Sequence, residues 1–189
     1  MNPVIENMKK RRSIRSYESK PVPKELLRVL IEVANDAPSS MNTQPWRFVV
    51  VENPEFHRKM VEIVKPKALE IFNTLKESNP ERHQIVMRRF AELPDPIYYS
   101  APAIIFVIGS NARAGDSCNL ACENIILAAE SLSLGSCYVK MGSLIADDPE
   151  MRQALDLNKD ELLFGPILVG YAKEIPDPPL KKAPVIKWI

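Results

Sequence analysis

Three short runs hold the residues whose types and spacing could do chemistry. Near the N-terminus, Arg11-Arg12-Ser13-Ile14-Arg15 gathers guanidinium groups around one hydroxyl. Guanidinium offers forked donors that match phosphate oxygens, and serine adds a neutral hydroxyl. A solvated basic helix end or a nonspecific nucleic-acid arm would use the same residues, so this run alone leaves those readings open. The second run, Pro38-Ser39-Ser40-Met41-Asn42-Thr43-Gln44-Pro45-Trp46, packs hydroxyls and amides between prolines that stiffen the chain. A polar helix-to-strand connection accounts for the polarity but not for that density of donors beside a tryptophan. A flat heteroaromatic ring with polar edges needs such a surface, with apolar faces and several edge donors. The third run is Leu132-Ser133-Leu134-Gly135-Ser136-Cys137-Tyr138-Val139. Gly135 is the expected terminator of a long helix. Backbone N–H groups of the extended segment after it could reach a ligand, although an ordinary helix–turn–strand reads the same way.

What is missing narrows the chemistry. The sequence has no Walker A run, dinucleotide fingerprint, HExxH or GxSxG. Its two histidines, His57 and His83, lack ligand spacing, and Cys118, Cys122 and Cys137 give too few thiols for a structural zinc site. The cysteines read as small buried side chains. A net charge of +1 provides no global field for nucleic acid or an anionic membrane, so any anion site must be built locally. No stretch approaches the ~20 apolar residues that span a bilayer. The N-terminus, MNPVIENMKKRRSIRSY, has no apolar leader, and an odd cysteine count suits a reducing cytoplasm.

The elements that must position these runs follow from periodicity. A length of 189 residues favours one domain over residues 1–189. Asn2-Pro3 opens a helix whose cationic end is Lys9–Arg12. Leu26, Leu27, Leu30, Ile31 and Ala34 mark a second helix, and residues 47–51 a strand. Pro54 opens another helix, and residues 66–93 are helical with a break near Asn79-Pro80. Residues 103–109 form a buried strand, residues 116–134 the longest apolar-periodic helix, and residues 136–139 a short strand. A helix over about 148–155 and a strand over 167–171 complete the set. The Pro-rich tail from Pro176 ends in Val185-Ile186-Lys187-Trp188-Ile189, too apolar to be left in water.

In chain order, these runs resemble the nitroreductase family. RRSIRSY is similar to that family's Arg-Arg/His-Ser-hydrophobic-Arg/Lys element, and PSSMNTQPW matches its PSS-x-N-x-QPW signature. AAESLSLGSCYV resembles its alanine-rich helix followed by GLGSCW, and FGPILVGYAKEIPDPPLKKAPVIKWI its closing Gly-Tyr, Pro-rich, basic tail. The resemblance covers nearly the whole chain, and PSSMNTQPW is its most specific part. It implies an α+β fold in three layers, a central mixed or antiparallel sheet flanked by helices, with residues 175–189 extended as an arm onto a partner subunit.

The resemblance further implies FMN held at the interface of a homodimer. Arg11 would bind the phosphate with Lys181 or Lys182. Arg12 and Ser13 would lie along the phosphate and ribityl chain, and Arg15 near the pyrimidine edge of the ring. Ser39, Ser40 and Asn42 would come from the other subunit, with Gln44 close by. Backbone groups of Cys137, Tyr138, Val139 and Lys140, on to Met141, would meet the ring near N5. NADH or NADPH would reduce the flavin, and a small acceptor such as a nitroaromatic or quinone would reoxidise it from the same place. The cofactor then carries the chemistry, and neither a catalytic side chain nor a metal is expected. Ser133 stands where the family has glycine, and Lys140-Met141 where it has an acidic or small residue and glycine. Residues 66–100 match no family element, so the acceptor is open. Rival readings are a specialised flavin reductase, dehalogenase or reductase of an activated double bond, a flavin-storing or FMN-responsive protein, and a nucleic-acid module built on Lys9–Arg15.

Overall fold

Ala103–Gly109, the run AIIFVIG, has no polar side chain, and a strand of that kind needs cover on both faces. In the computed structural model, which describes residues 2–189, this strand (β2) is buried at every position. β1 (Trp46–Val51) pairs with one edge of β2, with Trp46 opposite Gly109 and Val51 opposite Ile104. β4 (Leu162–Gly170) pairs with the other edge, and β3 (Gly135–Tyr138) lies outside β4. The order is β1-β2-β4-β3 and every neighbouring pair is antiparallel. A single parallel bridge from Ser13 to Ser136 extends the β3 edge.

The alternation of β2 separates two cores. Ile104, Phe106 and Ile108 face Met60, Val64, Phe90, Tyr98 and Ile145, whereas Ala103, Ile105 and Val107 face Leu30, Ala34, Cys118, Ala121 and Ile125. The first layer is built from α3 (Pro54–Asn73), α4 (Leu75–Ser78), α5 (Pro80–Glu92) and α7 (Pro149–Ala154). The second holds α2 (Lys24–Asn35) and α6 (Gly115–Ser131), with α1 (Pro3–Lys10) against α6. Helices α1, α3, α5 and α7 start alike: Asn2, Asn53, Asn79 and Asp148 cap backbone N–H groups with a side-chain oxygen, and proline follows at the first position. Asn79-Pro80 therefore produces the expected break, ending one helix and starting the next.

The expected end of the long helix is corrected. α6 stops at Ser131, and Ser133, at φ 59°, takes the left-handed position. The N–H of Leu134 reaches the Ala129 carbonyl at 2.8 Å and that of Ser133 the Glu130 carbonyl at 3.1 Å, a Schellman closure. Gly135 is not the terminator; it opens β3. The final strand also begins earlier than residue 167. A register shift between Ile105 and Val107 sets Gly165-Pro166 in a bulge, so proline no longer ends the strand and Leu162–Phe164 join it.

One polar contact ties the far end of the sheet to the α7 loop. Arg47 on β1 donates Nε to Glu161 Oε1 at 2.9 Å and Nη2 to Oε2 at 2.7 Å. The hydrogen bond from Arg47 holds the Glu161 carboxyl down at about 2. Because the folded-state value is depressed, the pair stabilises above the unfolded value of 4.5, and that contribution is lost as pH falls toward about 2. Glu161→Gln should therefore lower stability at pH 7 by about 2 kcal/mol. Urea denaturation across pH should show the gap between variant and wild type closing through that acid window.

Candidate functional site

The basic run lies where α1 gives way to the sheet edge. Ile14 is buried and its N–H bonds the Ser136 carbonyl at 2.9 Å, so alternation turns Ser13 and Arg15 to the opposite side. Gly135 makes this packing possible. A Cβ there would lie 2.7 Å from Ile14 Cγ1 and 3.0 Å from its Cβ and Cγ2. Arg12 is already engaged: its Nη1 donates to the carbonyls of Lys9, Lys10 and Arg11 at 2.8, 2.9 and 2.8 Å. These are carbonyls at the C-terminal end of α1, where the dipole favours a cation.

A cavity of about 610 Å³ opens beside this run. Its wall carries Lys9, Arg11, Arg12, Arg15 and Lys181 against a single carboxylate, Asp177. Lys181 is brought to it, along with Pro176 and Pro179 of the tail, whereas Lys182 is not on the wall. The chain is nearly neutral as a whole, yet this wall is strongly cationic. Ser13 supplies a hydroxyl on the same wall, and a smaller hollow of about 260 Å³ continues along Ser13, Arg15 and Ser16. Such a surface can hold a phosphate monoester and a polar chain leading away from it.

Beyond the Ser13–Ser136 bridge, β3 leads into a turn. Cys137 is buried, and burial pushes its thiol up, so it offers backbone rather than side chain. Tyr138 is 36% exposed, and its hydroxyl donates to Asn119 Oδ1 at 3.2 Å. The Val139 N–H bonds the Pro166 carbonyl at 2.9 Å, and the Gly142 N–H bonds the Val139 carbonyl at 3.0 Å. A 3₁₀ stretch then runs over Lys140–Asp147. The N–H groups of Lys140 and Met141 begin it and so have no partner within it.

The Ser/Asn/Gln run is a stiff, outward-facing loop. Met41, Asn42 and Gln44 take φ of 51°, 54° and 43°, left-handed values that cost non-glycine residues free energy. Local bonds hold them: Asn42 N–H to Ser39 O at 3.0 Å, Thr43 N–H to Ser40 O at 3.0 Å and Gln44 N–H to Ser39 Oγ at 3.0 Å. Trp46 Nε1 donates to Asn35 Oδ1 at 3.0 Å. Ser40, Asn42 and Gln44 are exposed and Ser39 half-buried, and none lies on the cationic wall. Within the chain, then, Arg11, Ser13, Arg15 and Lys181 converge, and the 38–46 loop stands apart.

The sequence reading missed the Asp95 loop. Its buried carboxylate accepts N–H bonds from Ile97 at 3.0 Å, Tyr98 at 2.7 Å and Ser100 at 2.7 Å, and meets His57 Nε2 at 2.9 Å. Burial alone would raise this group, but the bonds from His57, Ser100 and Tyr98 hold it below the usual carboxylate range. The available signal was Asp95-Pro96, an acidic residue in turn context. Cys118 and Cys122 are buried as expected, and burial pushes them up to about 11 and about 12, too high for a reactive thiolate.

The model of the nitroreductase family matches residues 8–171. The chain belongs to the nitroreductase family. Among its relatives is a protein of Methanothermobacter thermautotrophicus named as an NADH dehydrogenase/NAD(P)H nitroreductase, 28% identical over 179 residues that cover 92% of this chain and 79% of the relative. The iodotyrosine deiodinase of Thermotoga neapolitana is 29% identical over 181 residues, covering 93% and 90% of the two chains. A solved nitroreductase with bound FMN from Bacteroides fragilis superposes with a TM-score of 0.80 at 28% identity, over 100% of both chains. The layered α+β architecture is thus that of the family. No helix among the described residues is long and apolar enough to cross a membrane.

Ile14 is β-branched and enclosed, so it cannot swing away from an added methyl at residue 135. Gly135→Ala should cost about 2 kcal/mol through overpacking, read as a lower thermal midpoint with the Ser13–Arg15 segment displaced in a crystal structure of the variant.

Proposed function

We propose that this nitroreductase is a homodimeric FMN-dependent oxidoreductase that takes reducing equivalents from NADH or NADPH and passes them to small acceptors such as nitroaromatics or quinones. The carrying observation is the cationic wall beside the sheet edge, where Arg11, Ser13, Arg15 and Lys181 meet. The donor set fits FMN: guanidinium and ammonium for a phosphate, a hydroxyl for the ribityl chain, and backbone N–H groups at the β3 exit for ring edges. When bound, FMN supplies the hydride chemistry. Arg11 and Lys181 hold the phosphate, with Lys182 one residue further along the tail. Ser13 follows the ribityl chain. Arg12 contributes by fixing the α1 end rather than by reaching the ligand. Arg15 sets a positive charge at the pyrimidine edge, where it favours an electron-rich ring.

The second wall comes from a partner subunit in this reading. Ser40, Asn42 and Gln44 are exposed on a preformed loop, with Ser39 half-buried beside them. The tail supports the same arrangement. Leu180, Val185, Trp188 and Ile189 are 103, 102, 88 and 112% exposed, and burying each such side chain is worth roughly 1.5–3 kcal/mol. Residues 175–189 acting as an arm across a second copy would recover that free energy. Free, buried thiols suit a reducing cytoplasm.

A second reading, reductive dehalogenation of a halogenated phenol, is favoured by the likeness to the Thermotoga deiodinase over nearly the whole chain. Steady-state assays with a nitroaromatic and with a halotyrosine separate the two.

The purified protein should be yellow, and anaerobic NADH or NADPH should bleach it. Colourless protein that takes up no FMN overturns the proposal. Arg15→Ala should slow flavin reduction and lower the flavin midpoint potential, measured by redox titration, and an unchanged potential removes Arg15 from the pyrimidine edge. Deleting residues 176–189 should abolish dimerisation and flavin retention together. A truncated protein that stays dimeric and yellow by sedimentation and absorbance refutes the arm.

A further inference from the structure

Tyr98 is fully buried, with its hydroxyl donating to the Gly142 carbonyl at 2.9 Å. A phenol in a dry core costs free energy unless its hydroxyl is satisfied, and phenylalanine would fill the same space without that cost. The hydroxyl has one proton, and it is spent on the turn that leaves β3. The ring adds a steric hold. A Cβ on Gly142 would lie 2.6 Å from Tyr98 Cε1 and 2.8 Å from Pro166 Cγ, so the Gly142 backbone runs between the two rings. At the other end of the turn, the Val139 N–H is fixed to the Pro166 carbonyl at 2.9 Å.

Tyr98 is itself over-determined. Its N–H goes to Asp95 Oδ1 at 2.7 Å, and His57, bonded to Asp95 Oδ2 at 2.9 Å, stands edge-on to its ring with centroids 5.5 Å apart and planes at 87°. The Asp95 carboxylate thus fixes both the backbone of Tyr98 and the histidine that packs on it. Burial keeps the phenol protonated well beyond its ordinary range, so the donor is present at any physiological pH.

We infer that Tyr98 is a positioning residue: through the Gly142 carbonyl it fixes the Val139–Gly142 turn and so aims the N–H groups of Lys140 and Met141. The consequence for the reaction rests on the proposed function, in which those N–H groups face the flavin ring. Donors aimed in advance help an enzyme because they need no reorganisation as charge develops. Tyr98 touches no ligand; it acts through the turn, from the core it shares with Met60, Phe90 and Ile145.

The test uses the full-length protein with FMN and the variant Tyr98→Phe, which removes one oxygen. Hydrogen exchange of the Gly142 amide, which bonds the Val139 carbonyl, should accelerate about tenfold, with β2 and β4 unchanged, as one lost hydrogen bond implies. Stopped-flow flavin reduction by saturating NADH or NADPH should slow roughly five- to tenfold, with FMN affinity held within about twofold. Gly142→Ala, which drives the turn against Tyr98 from the other side, should move both readouts the same way and serves if the first variant folds poorly. Turn exchange equal to wild type, or an unchanged reduction rate, overturns the inference whatever happens to the melting temperature. Wild-type protein that binds no FMN overturns the proposed function instead and takes the catalytic consequence with it, while the exchange measurement still decides whether Tyr98 fixes the turn.

Discussion

The candidate site depends on one contact: Ile14 seated on the bare backbone of Gly135, with its N–H bonded to the Ser136 carbonyl. That contact brings a segment from the N-terminus to the edge of a sheet whose other strands lie far along the sequence. Alternation does the rest. With Ile14 turned inward, Ser13 and Arg15 must turn outward, and Arg11 follows one residue beyond the end of α1. A larger residue at 135 would separate the basic run from the β3 exit, and neither half alone makes a site.

Electrostatics inside the run divides the labour. Adjacent arginines repel, and an anion site built from them holds its shape only if some are committed to the protein. Arg12 is the committed one, drawing three carbonyls of the α1 end around a single nitrogen. This satisfies backbone acceptors and screens Arg11 from a like neighbour. Arg11 and Arg15 are left to face the cavity with Lys181. A charge close to zero over the chain and a cationic wall in one place are therefore compatible, because the field is made locally.

Much of this was legible in the residues because it was written in local chemistry. Asx-Pro pairs marked helix starts, the apolar run 103–109 marked the central strand, and PSSMNTQPW marked the family. What was hidden depended on partners distant in sequence. Nothing near Arg12 says that its guanidinium folds back on the preceding turn. Gly135 was read as a helix terminator because glycine is the usual left-handed residue, yet Ser133 holds that position and Gly135 is needed for an approach from residue 14. Leu162–Phe164 were missed as strand because Pro166 reads as a breaker until a bulge receives it.

The cationic wall and the helical cover belong to different parts of the fold. The cation wall rests on α1, β3 and the tail, whereas the helices over 54–92 cover the opposite core. Substitutions on the outer faces of those helices would leave the wall untouched. The two are joined by apolar packing of Met141 and Leu144 on the core that holds Met60 and Val64, and by a polar bond. Asp95 collects three N–H groups and a histidine from α3, and the ordered loop then reaches the β3 turn through Tyr98 alone among its buried hydroxyls. A carboxylate saturated with donors resists distortion, because moving it strands several polar groups in a dry core at once. Such a node therefore holds the turn to a fixed point of the core, by a polar bond in addition to apolar packing.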